Sequence, residues 1–306
     1  MDLYLPIAEV SVNAPLLVAL GAMVGFISGL FGIGGGFLMT PVLVFLGIPP
    51  VVAVASEANH VAASSVSSVI AYSRKRVVDF RMGAVLAGGG VVGAVIGVEI
   101  FRILRLLGQA DLVVSISYLL FLGVIGALML WESLGSILRR RRGDLPKPPR
   151  ERRPVLLYSL PWKMRFPRSR LYISVIPPIT LGVFVGMLSA IMGVGGGFIL
   201  VPAMVYLLRM PAGVVVGTSL FQIVITTTLT SVLQAGRNQT VDVVLATLLL
   251  LGGVIGAQLG ARASARFRAE ELRALLALIV LLVGLRMGLG LFIHPDDPFI
   301  LMPGAG

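Results

Sequence analysis

Residues 32–41 read Gly-Ile-Gly-Gly-Gly-Phe-Leu-Met-Thr-Pro, and residues 193–202 read Gly-Val-Gly-Gly-Gly-Phe-Ile-Leu-Val-Pro. Each stretch lies inside an apolar run, 14–48 and 173–208, that is too long for one membrane crossing. About 35 residues rising ~1.5 Å each would give a helix of roughly 52 Å, against a hydrocarbon core of ~30 Å. Consecutive glycines near the middle weaken a continuous helix further, each by ~1 kcal/mol relative to alanine. The expected solution is a V: a helix enters, breaks at Gly32–Gly36 or Gly193–Gly197, and a second helix returns. Thr40-Pro41 reads as the cap and first turn of the returning helix, whereas Val201-Pro202 lacks that cap.

The rest of the chain repeats around these two stretches. Gly21, Gly25 and Ser28 precede the first as Gly182, Gly186 and Ser189 precede the second. Further on, Val78-Asp79 matches Val241-Asp242, and Gly89, Gly93 and Gly97 match Gly252, Gly256 and Gly260. Apolar helices share Leu and Val by chance, but not ordered glycines, so the chain reads as a duplication. Each half then carries three further apolar runs, 50–72, 82–106 and 112–133 in the first and 212–235, 241–265 and 272–293 in the second. The glycines spaced one turn apart read as helix-packing stripes.

Composition sets the solvent. Hydrophobic residues make up 57% of the 306 and charged residues 13%, with a mean hydropathy of +0.98. A soluble chain of this length needs more polar surface, so most of it is expected in lipid. There are no cysteines, which excludes disulfides, thiolate metal sites and cysteine nucleophiles. The net charge of +11 is concentrated, because twelve of the 25 Lys and Arg lie between Arg139 and Arg170. In a membrane protein such a run reads as a cytoplasmic loop facing anionic headgroups rather than as a nucleic-acid site.

Charge also orients the halves. If each long run is a hairpin, each half crosses three more times and the halves are inverted. Arg74, Lys75, Arg76, Arg81, Arg209, Arg262, Arg266, Arg268 and Arg273 then join the basic loop in the cytoplasm. Arg102, Arg105 and Arg237 fall outside, with Asp296-Asp297 and the acidic N-terminus. The alternative, a single crossing, leaves more cations outside than in the short inner loops, so the positive-inside rule favours inversion. Tyr72, Trp131, Trp162 and Tyr172 would flank the cytoplasmic ends as an aromatic belt.

Two mid-membrane breaks facing one another would converge helix N-termini, with free amides and positive dipole ends, on one point suited to a small anion. The substrate-binding candidates are therefore Gly34, Gly35, Gly36, Phe37 and Thr40 with Gly195, Gly196, Gly197 and Phe198. The second run of each half adds a polar stripe. Glu57, His60, Ser64 and Ser68 share one face, with Asn59 beside them, and Thr218, Ser219, Gln222, Thr226 and Thr230 form the counterpart. Glu57 and His60 are candidates for carrying a coupling proton, since intramembrane ionisable groups default to a functional reading, unless they merely pair with each other. Glu99 and Arg286 read as snorkelling residues, and Asp79 and Asp242 as span boundaries.

The doubled glycine motif, with Ala55-Ser56-Glu57-Ala58-Asn59-His60, Val216-Gly217-Thr218-Ser219-Leu220-Phe221-Gln222 and Asn238-Gln239-Thr240-Val241-Asp242, resembles the TauE/SafE family of sulfite exporter-like permeases. The resemblance implies transport of a sulfur-containing anion such as sulfite or a sulfonate. Where this chain has Glu57-Ala58, first-half members often carry Thr-Ser.

The expected fold is an all-α polytopic membrane protein of two inverted-topology repeats, each a V-shaped hairpin plus three transmembrane helices. Residues 1–133 form the first repeat, 134–172 the basic loop, 173–295 the second repeat and 296–306 a tail. The expected function is secondary transport, as an exporter, of a small oxyanion by alternating access, without catalytic residues, cofactor, metal or nucleic acid. The expected location is the inner membrane, with both termini periplasmic and the basic loop against anionic lipid. An intramembrane enzyme using Glu57 and His60 on a lipid-like substrate, and a passive anion channel, are the alternatives.

Overall fold

The computed structural model describes residues 2–31, 34–141, 161–263 and 269–292. Gly32, Ile33, the middle of the basic loop, Arg266, Arg268 and the 296–306 tail lie outside the described residues. Each half opens with a short hairpin followed by five helices. The first half has β1 (Asp2–Leu5), β2 (Val10–Asn13), α1 (Ala14–Phe31), α2 (Gly36–Phe45), α3 (Pro50–Arg74), α4 (Phe80–Leu106) and α5 (Ala110–Arg141). The second has β3 (Lys163–Phe166), β4 (Leu171–Ser174), α6 (Ile176–Met192), α7 (Gly197–Tyr206), α8 (Ala212–Leu233), α9 (Val243–Ala263) and α10 (Ala269–Phe292). A π-helical turn, Gln234–Asn238, closes α8.

The chain is a multi-pass membrane protein, with five helices among the described residues long and apolar enough to cross a bilayer: α1, α4, α5 over Ala110–Trp131, α8 with its π turn, and α9. At ~1.5 Å per residue, α2 and α7 reach only about 15 Å, half a hydrocarbon core. Both long runs are broken where the glycines stand. The expected Thr40 cap is corrected, however, because α2 starts five residues earlier, with Gly35 as its N-cap at φ 75°. A left-handed glycine turns the chain into the helix without a side-chain cap, which frees Thr40 for another partner and leaves Pro41 in the second turn.

The glycine stripes bring backbones together across the halves. Gly21, Gly25 and Gly29 of α1 lie against Leu249, Gly253 and Ala257 of α9 in the same order, so the two helices run parallel. Gly89, Gly93 and Gly97 of α4 lie in order against Ile179, Val183 and Met187 of α6. At both interfaces a Cβ on these glycines would strike the partner's main chain, so the packing reading of the stripes holds. The α5–α10 pair is reversed, with Gly126 against Val280 and Gly284 against Leu122. In the α3–α8 pair, Ser231 donates to Asn59 and Gly217 meets Tyr72, so these helices are antiparallel too.

The two hairpins were not anticipated, and they extend the repeat. Each has a proline-led turn closed by a left-handed residue, Pro6 to Glu9 (φ 54°) and Pro167 to Arg170 (φ 52°). Each docks on the helix start of the opposite half. The Ile7 amide donates to Asp242 Oδ2 (3.1 Å), and the Ser169 amide and hydroxyl donate to Asp79 Oδ2 (2.9 and 2.7 Å). The other carboxylate oxygens cap α9 and α4 by accepting from Leu245 and Met82. Both aspartates are therefore boundary residues, as read from the sequence. Asp79→Ala removes a buried cap and leaves the Ser169 groups unpaired. A loss of about 2–3 kcal/mol is expected, seen as an earlier thermal unfolding midpoint in detergent; an unchanged midpoint would mean that the hairpin does not hold α4.

Candidate functional site

The backbone at the two breaks follows directly from their glycines. Gly34 and Gly35 have φ of 91° and 75°, and Gly193, Gly195 and Gly196 have φ of 74°, 73° and 75°. This left-handed region costs an L-residue with a side chain roughly 1–2 kcal/mol, so repeated glycine is a conformational requirement. Each break folds the chain back along its first helix. Gly35 comes to Ser28 of α1, and Gly196 comes to Val185 and Ser189 of α6.

The breaks meet each other. A Cβ built on Gly36 would lie 2.6 Å from the Val194 carbonyl oxygen. The rings of Phe37 and Phe198 stack with centroids 5.6 Å apart and 18° between planes. Val61 of α3 and Ile223 of α8 both cover Gly34 and Gly195, so the two polar helices close over the junction with apolar side chains. The short helices α2 and α7 begin here, neither with a side-chain cap. Beyond Gly193, whose amide donates to Ser189, the next bonded amides in the second break are those of Ile199 and Leu200, both donating to Gly196. Among the described residues, the buried amides of Gly195, Gly196, Gly197 and Phe198 have no acceptor. Buried donors of this kind are satisfied by a ligand or are costly.

The polar stripes of α3 and α8 are buried and only partly satisfied. Thr40 donates through its hydroxyl to Glu57 Oε2, while Oε1 has no partner among the described residues. His60 does not pair with Glu57. Its ring packs on Gly253 of α9, and neither nitrogen has a hydrogen-bond partner among the described residues. Gln222 is the counterpart of His60, packed on Gly90 as His60 packs on Gly253. Its Nε2 donates to Thr226 at 3.4 Å, and its Oε1 has no partner among the described residues.

Other sequence-selected residues are engaged elsewhere. Thr218 donates to Val214 and accepts from the Asp79 amide (3.0 Å), and Ser219 donates to Val216. Ser56 accepts from the Asp242 amide (2.9 Å), which sets Ser56 and Thr218 as equivalent positions and hence Glu57 opposite Ser219. Asn59 accepts from Ser231 of α8. Glu99 and Arg286 do more than snorkel. Glu99 bridges Arg102 and Arg237 at 3.0 and 3.1 Å, and the Arg286 guanidinium lies 5.3 Å from the Phe45 ring.

Sequence reasoning missed Tyr118, a fully buried side chain in α5. Its hydroxyl donates to the carbonyl of Met192 at 2.8 Å, the last helical residue before the second break. The available signal was a lone tyrosine in the middle of an apolar run, away from either interface.

Comparison with known proteins places this architecture in context. Residues 17–287 match the family model described as Sulfite exporter TauE/SafE. The "Probable membrane transporter protein YjnA" of Bacillus subtilis (strain 168) is 27% identical over 274 residues, covering 89% of this chain and 98% of that protein. A "Probable membrane transporter protein" of Xylella fastidiosa (strain 9a5c) is 30% identical, covering 77% of this chain and 79% of its own length. "Sulfite exporter TauE/SafE family protein 3" of Arabidopsis thaliana is 30% identical over 123 residues, 39% of this chain and 26% of that one. No solved structure matches the chain.

Proposed function

This chain belongs to the sulfite exporter TauE/SafE family, and on that premise we propose that it is a secondary transporter, an exporter, of a small sulfur-containing oxyanion such as sulfite or an organosulfonate. It works by alternating access around the two glycine breaks. The observation that carries this reading is their meeting point, where two uncapped helix N-termini converge with a row of buried amides that have no acceptor among the described residues. Such a cluster recognises oxyanions through several N–H donors and two positive dipole ends. Glycine gives the substrate access to the main chain. The substrate is held by the Gly34–Phe37 and Gly195–Phe198 backbones, with Thr40 and Gln222 beside them, whereas Asn59, Thr218 and Ser219 are spent on hydrogen bonds elsewhere.

The repeats are inverted across the membrane. Two observations support this: the equivalent pairs α3–α8 and α5–α10 run antiparallel, and α1 and α4 run parallel to the other half's α9 and α6. Charge supports the orientation. The basic hairpin β3–β4 docks on the Arg74–Arg81 turn, where Arg168 donates to Val78 and lies 5.4 Å from the Phe80 ring. That end faces the cytoplasm, together with the basic loop against anionic lipid. The Glu99, Arg102 and Arg237 cluster and the acidic β1–β2 hairpin face outward. Because native cysteines are absent, single cysteines at positions 75 and 237 report topology directly. Impermeant label is expected to reach 75 from the cytoplasmic side alone and 237 from outside alone. The same side for both would refute the arrangement.

Transport itself is tested in proteoliposomes by substrate-induced current across sulfite, thiosulfate, sulfonates, sulfate and carboxylates at two pH values. Saturable current with sulfur oxyanions is expected. Flux that rises without saturation would make the protein a channel, and product formation in detergent would make it an enzyme. Glu57 and His60 are not hydrogen-bonded to each other, so no paired acid–base arrangement favours the enzymatic reading.

A further inference from the structure

Several hydroxyls inside the spans are spent on their own helix. Ser64 donates to the Val61 carbonyl (3.2 Å), Ser219 to Val216 (2.9 Å) and Thr227 to Ile223 (2.7 Å). Such a back-bond is the ordinary way for serine and threonine to sit in an apolar interior. Ser28 of α1 and Ser189 of α6 depart from it. Both are buried, at 0% and 2% exposure, and neither hydroxyl has a partner among the described residues. They occupy matching places in the repeat, three residues after Gly25 and Gly186.

Each of these serines stands at a break. Gly35 and Gly196, the N-caps of α2 and α7, fold back onto them. A Cβ built on Gly35 would lie 2.7 Å from Ser28 Cβ and 3.1 Å from its Oγ, and one on Gly196 would lie 3.6 Å from Ser189 Cβ. The Ser28 oxygen is therefore aimed at the turn that begins α2. Thr40 is committed to Glu57, and Val201 takes its place in the second half. Ser28 and Ser189 are thus a hydroxyl that both halves set against a break.

We propose that Ser28 and Ser189 are substrate-binding residues, each donating its hydroxyl hydrogen to an oxygen of the bound oxyanion beside the break amides. The proposal rests on the anion-site reading above and adds to it one side-chain donor from each half. No Lys or Arg stands among the buried residues described. Neutral donors and helix ends therefore carry the recognition, and each donor counts for more in a water-poor interior. Amides point where the backbone fixes them, whereas a hydroxyl turns about its Cβ–Oγ bond and follows an oxygen as the helices shift. The two serines also belong to different packed pairs, Ser28 to α1 on α9 and Ser189 to α6 on α4. An anion held by both joins the two pairs.

A serine that served only close helix packing would leave anion affinity unchanged when its hydroxyl is removed. The experiment measures sulfite flux against concentration in proteoliposomes, and sulfite binding to the purified protein by calorimetry, for wild type, Ser28→Ala, Ser189→Ala and Thr240→Val. Thr240 is the control: its hydroxyl is buried and has no partner among the described residues, but it lies just before α9, next to the Asp242 cap rather than at a break.

Each serine variant is expected to raise KM and Kd for sulfite roughly 10- to 100-fold, the range for losing a hydrogen bond to an ionised group. Its kcat should change little, and its unfolding midpoint in detergent should stay at or above that of wild type. Thr240→Val should keep the wild-type constants. A wild-type KM in either serine variant would overturn the proposal, as would a lowered unfolding midpoint, which marks a structural role. An equal rise in KM for Thr240→Val would overturn it too, by showing that the effect is not local to the breaks. If wild type shows neither saturable flux nor heat of binding, the anion-site reading itself falls, and this proposal with it.

Discussion

Gly35→Val and Gly196→Val are each expected to abolish anion flux, by at least ~100-fold, while the protein still inserts in the membrane. Both glycines have φ near 75°, where a β-branched residue meets ~1–3 kcal/mol of backbone strain. Contacts add to this. A Cβ on Gly35 would stand 2.7 Å from Ser28 Cβ, and one on Gly196 would press into Val185. The backbone relieves both by rotating out of the left-handed turn, which re-aims the amides of the proposed substrate site. Flux measured in proteoliposomes at matched protein content, beside detergent-extracted yield, separates the two effects. Wild-type flux in both variants would remove the breaks from the mechanism.

The opposite pattern is expected on the stripes. Gly93→Leu drives a side chain into the main chain of Val183, and Gly256→Leu into that of Ala22. Neither helix can withdraw without opening a full interface between the halves. Overpacking of a close helix contact costs typically 1–3 kcal/mol and more where backbone meets backbone. Loss of folded, monodisperse protein on size-exclusion chromatography is therefore expected, rather than a folded transporter without flux. Gly88, with nothing within 4 Å of its would-be Cβ, supplies the contrast: Gly88→Ala is expected to fold normally. Glycines of one chain thus separate into a group that shapes the site and a group that lets the halves pack.

Much of the architecture was legible because glycine order survives where apolar identity drifts. The overlong runs located both breaks, and spaced glycines located the α1–α9 and α4–α6 contacts, though not which helix each stripe meets. The hairpins escaped because four-residue strands give too little alternation to register, and because β3 and β4 sit at the end of a strongly basic segment. The role of Thr40 escaped for a different reason. Local capping statistics favoured it as a helix start, whereas a left-handed glycine had already begun the helix, and its real partner lies on α3. At the site, the glycines, Glu57 and His60 could be picked out by cost in a bilayer. That His60 and Glu57 face different neighbours could not, because residues three apart on a helix share a face but not a partner. Tyr118 depends on a contact between halves that no local pattern encodes.

The convergence of the two breaks on one anion is tested most directly by saturable sulfite flux in wild type, Gly34→Ala, Gly195→Ala and Gly88→Ala. Gly34 is the decisive position. A Cβ there meets only side chains, at 3.4–3.5 Å, so the change acts through its φ of 91° rather than through a clash. Flux lost in both break variants and kept in Gly88→Ala is the expected result. Saturable, wild-type flux in Gly34→Ala and Gly195→Ala alike would contradict a substrate site built on these backbone amides.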